Sequence, residues 1–201
     1  MEIKEHAILY ALICRQILSR MGKEEGEKYI EEITSAYGLR RGRRMAENSA
    51  RKDINDFFVN GEWKGREGEN ISELIFEKDR TVSRVFKCAW YDTWKDYGLL
   101  DYGTYYCHYI DKAICKGFDS DFDLNVPKAL GYGDEECVFE WSVHGDEQIV
   151  KNTKKEHILP FDFHCKELYD CACRILPEGY REEILEEVRI AFKTLCGEDL
   201  F

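Results

Sequence analysis

Between Cys88 and Phe139 the chain gathers residue types that do chemistry. The stretch carries Cys88-Ala89-Trp90, Cys107-x3-Asp111, Gly117-Phe118, Gly131-x-Gly133-Asp134 and Cys137-x-Phe139. Thiols and tryptophans sort to the inside of folded proteins. This run therefore builds a core, the wall of a small pocket, or both. On a helix predicted to begin near Tyr102, residues Cys107, Asp111 and Cys115 stand four apart and share a face. Beside them runs a core stripe of Tyr106, Ile110, Ala113 and Ile114. A carboxylate on that boundary is desolvated, and its pKa rises unless a partner holds it down. That is the setting of a general acid or base. It is equally the setting of a core-edge aspartate bonded to backbone N–H groups, and the residues alone leave both readings open.

Cys88 closes a predicted strand and precedes a predicted helix, where the dipole lowers a thiol pKa and favours a nucleophile. Cys137 follows a glycine-rich turn. Each fits a packed small residue. Together with Cys107 they could hold a metal through thiolates, but no spacing among them imposes it, and the sequence requires no cofactor. His164, in Asp162-Phe163-His164-Cys165, starts an apolar helix for which Asp162 is the expected N-cap. It is a candidate proton shuttle, and also a candidate structural, hydrogen-bonded histidine. His108 lies about 100° around the helix from Cys107, so the pair is not read as a dyad. The chain has neither a Gly-x-Ser-x-Gly elbow nor a glycine-rich nucleotide motif.

These residues need a scaffold. At 201 residues the chain suits one domain, 1–201, and its 44% hydrophobic and 13% aromatic content are those of a folded protein. A formal net charge of −11 argues against nucleic acid as a partner. The cluster Arg40-Arg41-Gly42-Arg43-Arg44 reads as a solvated helix face. No segment approaches the ~18 apolar residues of a membrane span, and Met1–His6 lacks the basic start of a secretory signal. The nine cysteines are then expected as reduced thiols in the cytoplasm. The expected partner is a small-molecule substrate, and a homodimer is left open.

Apolar spacing predicts a helix over 5–21 ended by Gly22, and a helical region over 23–58 that breaks near Tyr37-Gly38. The other reading of its glycines is close approach by another backbone. A hairpin is expected over 72–77 and 81–89, a short helix over 90–97, and a longer one over 102–115 stopped by Gly117. Strands over 122–126 and 136–143 flank the Gly131-Tyr132-Gly133-Asp134 turn. Residues 144–156 read as a loop, and helices over 161–176 and 180–195 close the chain. The fold class is α+β: a single domain with N- and C-terminal helices around a small, mostly antiparallel sheet with short internal helices.

With these residues in view, the chain resembles the L-2-amino-thiazoline-4-carboxylic acid hydrolase family. The likeness rests on Cys88-x-Trp90, Gly98, Cys107-x3-Asp111, Phe118 and Gly133-Asp134-x2-Cys137-x-Phe139. The elements Tyr37-Gly38-x3-Gly42-x3-Ala46 and His164-x3-Leu168-Tyr169 are similar too, so that it spans roughly residues 5 to 195. The second half is more distantly similar to 4-vinyl-reductase-type domains that bind small molecules. The family resemblance implies hydrolytic opening of a thiazoline ring to N-carbamoyl-L-cysteine. That reaction needs a base for water, an acid for the departing sulfur and an anchor for the substrate carboxylate. The expected base is Asp111. Cys107 and Cys88 are candidates for pocket wall, acid or covalent nucleophile, and His164 for proton donor. Trp90, Cys137 and Phe139 are expected to line the substrate, with Arg84 or Arg40 on its carboxylate. The alternative is a non-catalytic domain binding a small molecule or metal through Cys88, Cys107 and Cys137.

Overall fold

In a computed structural model, which describes residues 1–153 and 155–201, the helices are α1 (Ile3–Met21), α2 (Lys23–Glu47), α3 (Ile54–Val59), α4 (Ala89–Asp96), α5 (Leu100–Gly103), α6 (Tyr105–Phe118), α7 (Glu147–Asn152), α8 (Phe161–Ile175) and α9 (Glu178–Cys196). The strands are β1 (Ile71–Phe76), β2 (Thr81–Lys87), β3 (Leu124–Lys128) and β4 (Cys137–Trp141). They form one antiparallel sheet in the order β1-β2-β4-β3. The α+β architecture is the expected one, and the terminal helices α1 and α9 pack together.

Helix α1 is buried nearly all round, from Ile3 through Ile8, Leu9, Leu12 and Ile13 to Ile17. A helix apolar on every side belongs in the centre of a core, and α2, α4, α5, α8 and α9 all pack on it. Gly22 ends it at φ 75°, a left-handed conformation that favours glycine. None of the described helices is long and apolar enough to cross a membrane.

The expected break at Gly38 does not occur, because α2 runs unbroken to Glu47. The second reading of the glycines holds instead. A Cβ at Gly38 would stand 2.6 Å from the Ala113 side chain, and one at Gly42 would stand 2.1 Å from the Ile114 carbonyl oxygen. Gly117 is met in the same way, with the Leu39 carbonyl at 2.3 Å. Hence α6 continues through Gly117 to Phe118 rather than stopping there. Three glycines let two helix backbones touch, and the propensity each costs, about 1 kcal/mol, is outweighed by that packing.

Two other expectations change. Residues 144–156 hold α7, capped by Asp146 through the N–H groups of Gln148 and Ile149; Lys154, in the same stretch, lies outside the described residues. Helix α8 starts at Phe161 after Pro160, so Asp162 sits in its first turn and is not the N-cap.

The buried apolar residues fall into a main cluster around α1 and a smaller one of Ile54, Cys115, Leu124 and Trp141 under the sheet. Phe57 and Phe122 pack against both. The seam between the clusters holds a cavity.

Candidate active site

The cavity has a volume of about 370 Å³ and lies between α4, α6 and one face of the sheet. Strand alternation decides what the sheet contributes. Ser83 pairs with Phe139, and Val85 with Cys137, so all four point the same way and line the cavity. From the helices come Cys88 and Trp90 at the start of α4, and Cys107, Ile110 and Asp111 on α6. Six of the expected site residues (Cys88, Trp90, Cys107, Asp111, Cys137 and Phe139) thus converge although they come from three elements and one junction.

Arg84 and His164 do not join them. Arg84 points to the other face of β2, where it pairs with Glu136 at 2.8 Å and Glu73 at 3.1 Å. The guanidinium that does reach the cavity is Arg41, which is only 4% exposed. The arginine cluster, expected as a solvated face, is split: Arg41 is buried and Arg40 and Arg44 are half-buried, while Arg43 stays exposed. Arg41 Nε donates to Glu62 Oε2 at 3.4 Å, and Nη1 to the Tyr106 hydroxyl at 3.5 Å. Arg44 grips the same Glu62 and reaches Glu167 at 2.7 Å. Burial works against the Arg41 charge, but Tyr37, Tyr106 and Glu62 outweigh it and hold the pKa above its ordinary value. A guanidinium carries five N–H donors. Among the described residues no partner takes those on Nη2, which leaves them to whatever occupies the cavity.

Asp111 faces that cation across the cavity. Burial pushes its carboxyl up to about 6, with Arg41 pulling the other way. Asp111 is half-buried, and among the described residues no group donates a hydrogen bond to its carboxylate.

The cysteines are thiols at neutral pH. Cys107 is pushed well up by burial and by the neighbouring Cys88 and Asp111, and Cys137 is pushed up to about 11, chiefly by burial. Cys88 is also raised by burial, although the Tyr91 and Trp90 N–H groups at the start of α4 oppose the shift. The helix terminus is present, as expected, but desolvation wins over it. Among the described residues no three histidine, cysteine or acidic groups stand close enough together to hold a metal ion.

Behind the cavity wall runs a buried chain of hydrogen bonds. Trp90 Nε1 donates to His6 Nδ1 at 3.0 Å, and His6 Nε2 meets the Tyr37 hydroxyl at 3.1 Å. That hydroxyl meets His164 Nδ1 at 3.4 Å, and His164 Nε2 lies 3.3 Å from the Glu62 carbonyl oxygen. Burial drives both imidazole pKa values down, His6 well below its ordinary value and His164 to about 3, with Arg41 adding to each. His164 is therefore part of the support and lies outside the cavity lining.

Sequence reasoning missed Arg41, Glu62 and His6. For Arg41 the signal was present: Ile30, Ile33, Tyr37 and Arg41 recur at three- and four-residue spacing along the buried face of α2. Glu62, 1% exposed, comes from a glycine-rich loop with no periodicity to read.

Residues 1–141 match the family model described as L-2-amino-thiazoline-4-carboxylic acid hydrolase. The span includes every residue from Cys88 to Phe139 named above and stops short of the His164-x3-Leu168-Tyr169 region. No curated protein and no solved structure gives a match. The match covers most of the chain, which belongs to the L-2-amino-thiazoline-4-carboxylic acid hydrolase family.

Proposed function

We propose that the protein is a cytoplasmic hydrolase that opens a small cyclic amidine carboxylate of the 2-amino-thiazoline-4-carboxylate type. The observation that carries this reading is Asp111, a carboxyl raised to about 6 inside a cavity and free of protein donors. Such a group is ionised at neutral pH, yet basic enough to take a proton from water. Arg41 anchors the substrate carboxylate through its unpartnered N–H groups, as a planar guanidinium does best.

The reaction balances with one water. Asp111 removes one proton as the water oxygen bonds to the ring carbon between sulfur and nitrogen, and the C=N electron pair moves onto the ring nitrogen. The tetrahedral intermediate collapses: its hydroxyl becomes the ureido carbonyl and gives its proton to the ring nitrogen, the carbon–sulfur bond breaks, and the proton held by Asp111 passes to the departing sulfur. The product is an N-carbamoyl-cysteine-type ureido acid with a free thiol. Cys88, Cys107 and Cys137, protonated and packed around the ring, wall the site and keep bulk water out.

Incubation with 2-amino-thiazoline-4-carboxylate in 18O-water tests the reading. Release of thiol together with one labelled oxygen in the ureido group is expected. Tight binding without thiol release would favour the non-catalytic binding module instead.

A further inference from the structure

Asp111 and Arg41 stand at a junction. On one side is the cysteine-lined cavity. On the other a second chamber of about 200 Å³ shares Arg41, Ser83, Asp111 and Phe139 with it. The two together exceed what a bare five-membered ring with one carboxylate fills, since volumes from about 300 Å³ upward house drug-sized ligands.

Beyond the junction the second chamber turns apolar, with Met45, Phe57, Leu124 and Trp141 on its walls and Phe58 on the boundary the two chambers share. Phe58 meets Trp141 edge to face, 5.1 Å away at 82°, and Phe57 lies tilted against it, 5.8 Å away at 55°. Leu124 and Trp141 are cross-strand partners of β3 and β4, so one sheet face presents both. Trp141 Nε1 donates to Cys115 Sγ at 3.4 Å, and Glu62 is held by Arg41 and Arg44. Lys155 belongs to the lining of both chambers, a second cation at the junction beside Arg41. The walls away from the junction offer apolar and aromatic surface.

We propose that this chamber is a subsite for an apolar, planar substituent, so that the substrate class is a cyclic amidine carboxylate bearing an aryl or branched alkyl group beside the reacting ring. The assignment rests on the hydrolase reading for its reacting end, whereas the subsite itself rests on the geometry of the second chamber. With the carboxylate on Arg41 and the ring carbon at Asp111, a substituent on the ring enters the second chamber and lies against the packed Phe58–Trp141 pair. Burying a phenyl group there contributes about 2 kcal/mol, which corresponds to more than tenfold in affinity.

The test uses the full chain and three probes: 2-amino-thiazoline-4-carboxylate, its 5-phenyl derivative, and the unreactive 3-phenylpropanoate. Thiol release gives kcat/KM for the first two, and calorimetry gives binding of the third. The expected result is a kcat/KM at least tenfold higher for the 5-phenyl compound, expressed mainly in KM. Leu124→Trp, which fills the chamber, should bring the ratio of the two values close to one. Phe58→Ala, which removes the aromatic wall at the shared boundary, should lower it severalfold and weaken 3-phenylpropanoate binding. Turnover of the bare ring with no advantage for the 5-phenyl compound, and no binding of 3-phenylpropanoate, would overturn the subsite and leave the hydrolase reading intact. Binding of 3-phenylpropanoate that Phe58→Ala weakens, with no thiol release from either ring, would uphold the subsite and overturn the hydrolase reading.

Discussion

Trp90 and His6 are joined by a bond with only one polarity, and that polarity settles where every proton behind the cavity lies. An indole N–H can only donate, so His6 Nδ1 accepts at 3.0 Å and the proton of the neutral ring is on Nε2. His6 Nε2 then donates to the Tyr37 oxygen, the Tyr37 hydroxyl donates to His164 Nδ1, and His164 Nε2 donates to the Glu62 carbonyl. A carbonyl can only accept, so both ends of the chain agree. The arrangement ties Trp90, on one wall of the cavity, to the backbone of Glu62, which holds Arg41.

Tyr37 is the middle link and is fully buried. Tyr37→Phe removes one hydroxyl and leaves His6 Nε2 and His164 Nδ1 without partners. A loss of about 1–3 kcal/mol is expected, read as a lower midpoint in urea denaturation.

The same chain makes the fold sensitive to acid. Both imidazoles are lowered, so the unfolded chain takes up protons from about pH 6.5 downward that the folded protein refuses. Stability therefore falls on acidification, and for His164 the loss continues to about pH 3. Asp111 acts in the opposite sense. Its carboxyl is raised to about 6, so the stability it contributes is present at low pH and is lost as pH rises through about 6. Between those limits the two effects oppose each other, so the acid dependence is shallower than the imidazoles alone would give. Asp111→Asn removes the opposing contribution and should steepen the loss of stability on acidification while raising stability at pH 7, both measurable by denaturant titration across pH.

Catalysis should follow the ionised form of Asp111. The pH–rate profile for kcat/KM is expected to rise through about pH 6 and level off above it. Arg41 holds that pKa down. Arg41→Gln should move the rising limb to higher pH and raise KM, because the substrate carboxylate also loses its anchor.

Gly42 is a test of the helix contact that carries Asp111. A methyl group there meets the backbone carbonyl of Ile114 at 2.1 Å, so α6 must move. Gly42→Ala should cost about 3 kcal/mol or more and depress activity with it, seen as a lower Tm. Gly179→Ala, where a Cβ meets nothing within 4 Å, is the matched control.

The sequence made the fold class legible because several elements carry a readable signal: α1 is a dense apolar helix, β1 and β2 partly alternate, and Gly22 and Gly98 sit at left-handed positions. Six cavity residues were legible because thiols, tryptophan and a carboxylate recur within that pattern. The course of α2 was not, since intrinsic propensity penalises Gly38 and Gly42 and only the partner helix rewards them. Arg41 was hidden by its neighbours: four arginines within five residues suggest solvent, while helical phase puts one of them inside. Arg84 was misplaced by a single register step, because adjacent strand residues face opposite ways.

The most direct test of the account compares wild type with Asp111→Asn, measuring thiol release from 2-amino-thiazoline-4-carboxylate and calorimetric binding of the same compound. The account predicts turnover by wild type, a loss of about 10²–10⁴-fold in kcat for the variant, and retained binding through Arg41. An Asp111→Asn protein that releases thiol at the wild-type rate would contradict it.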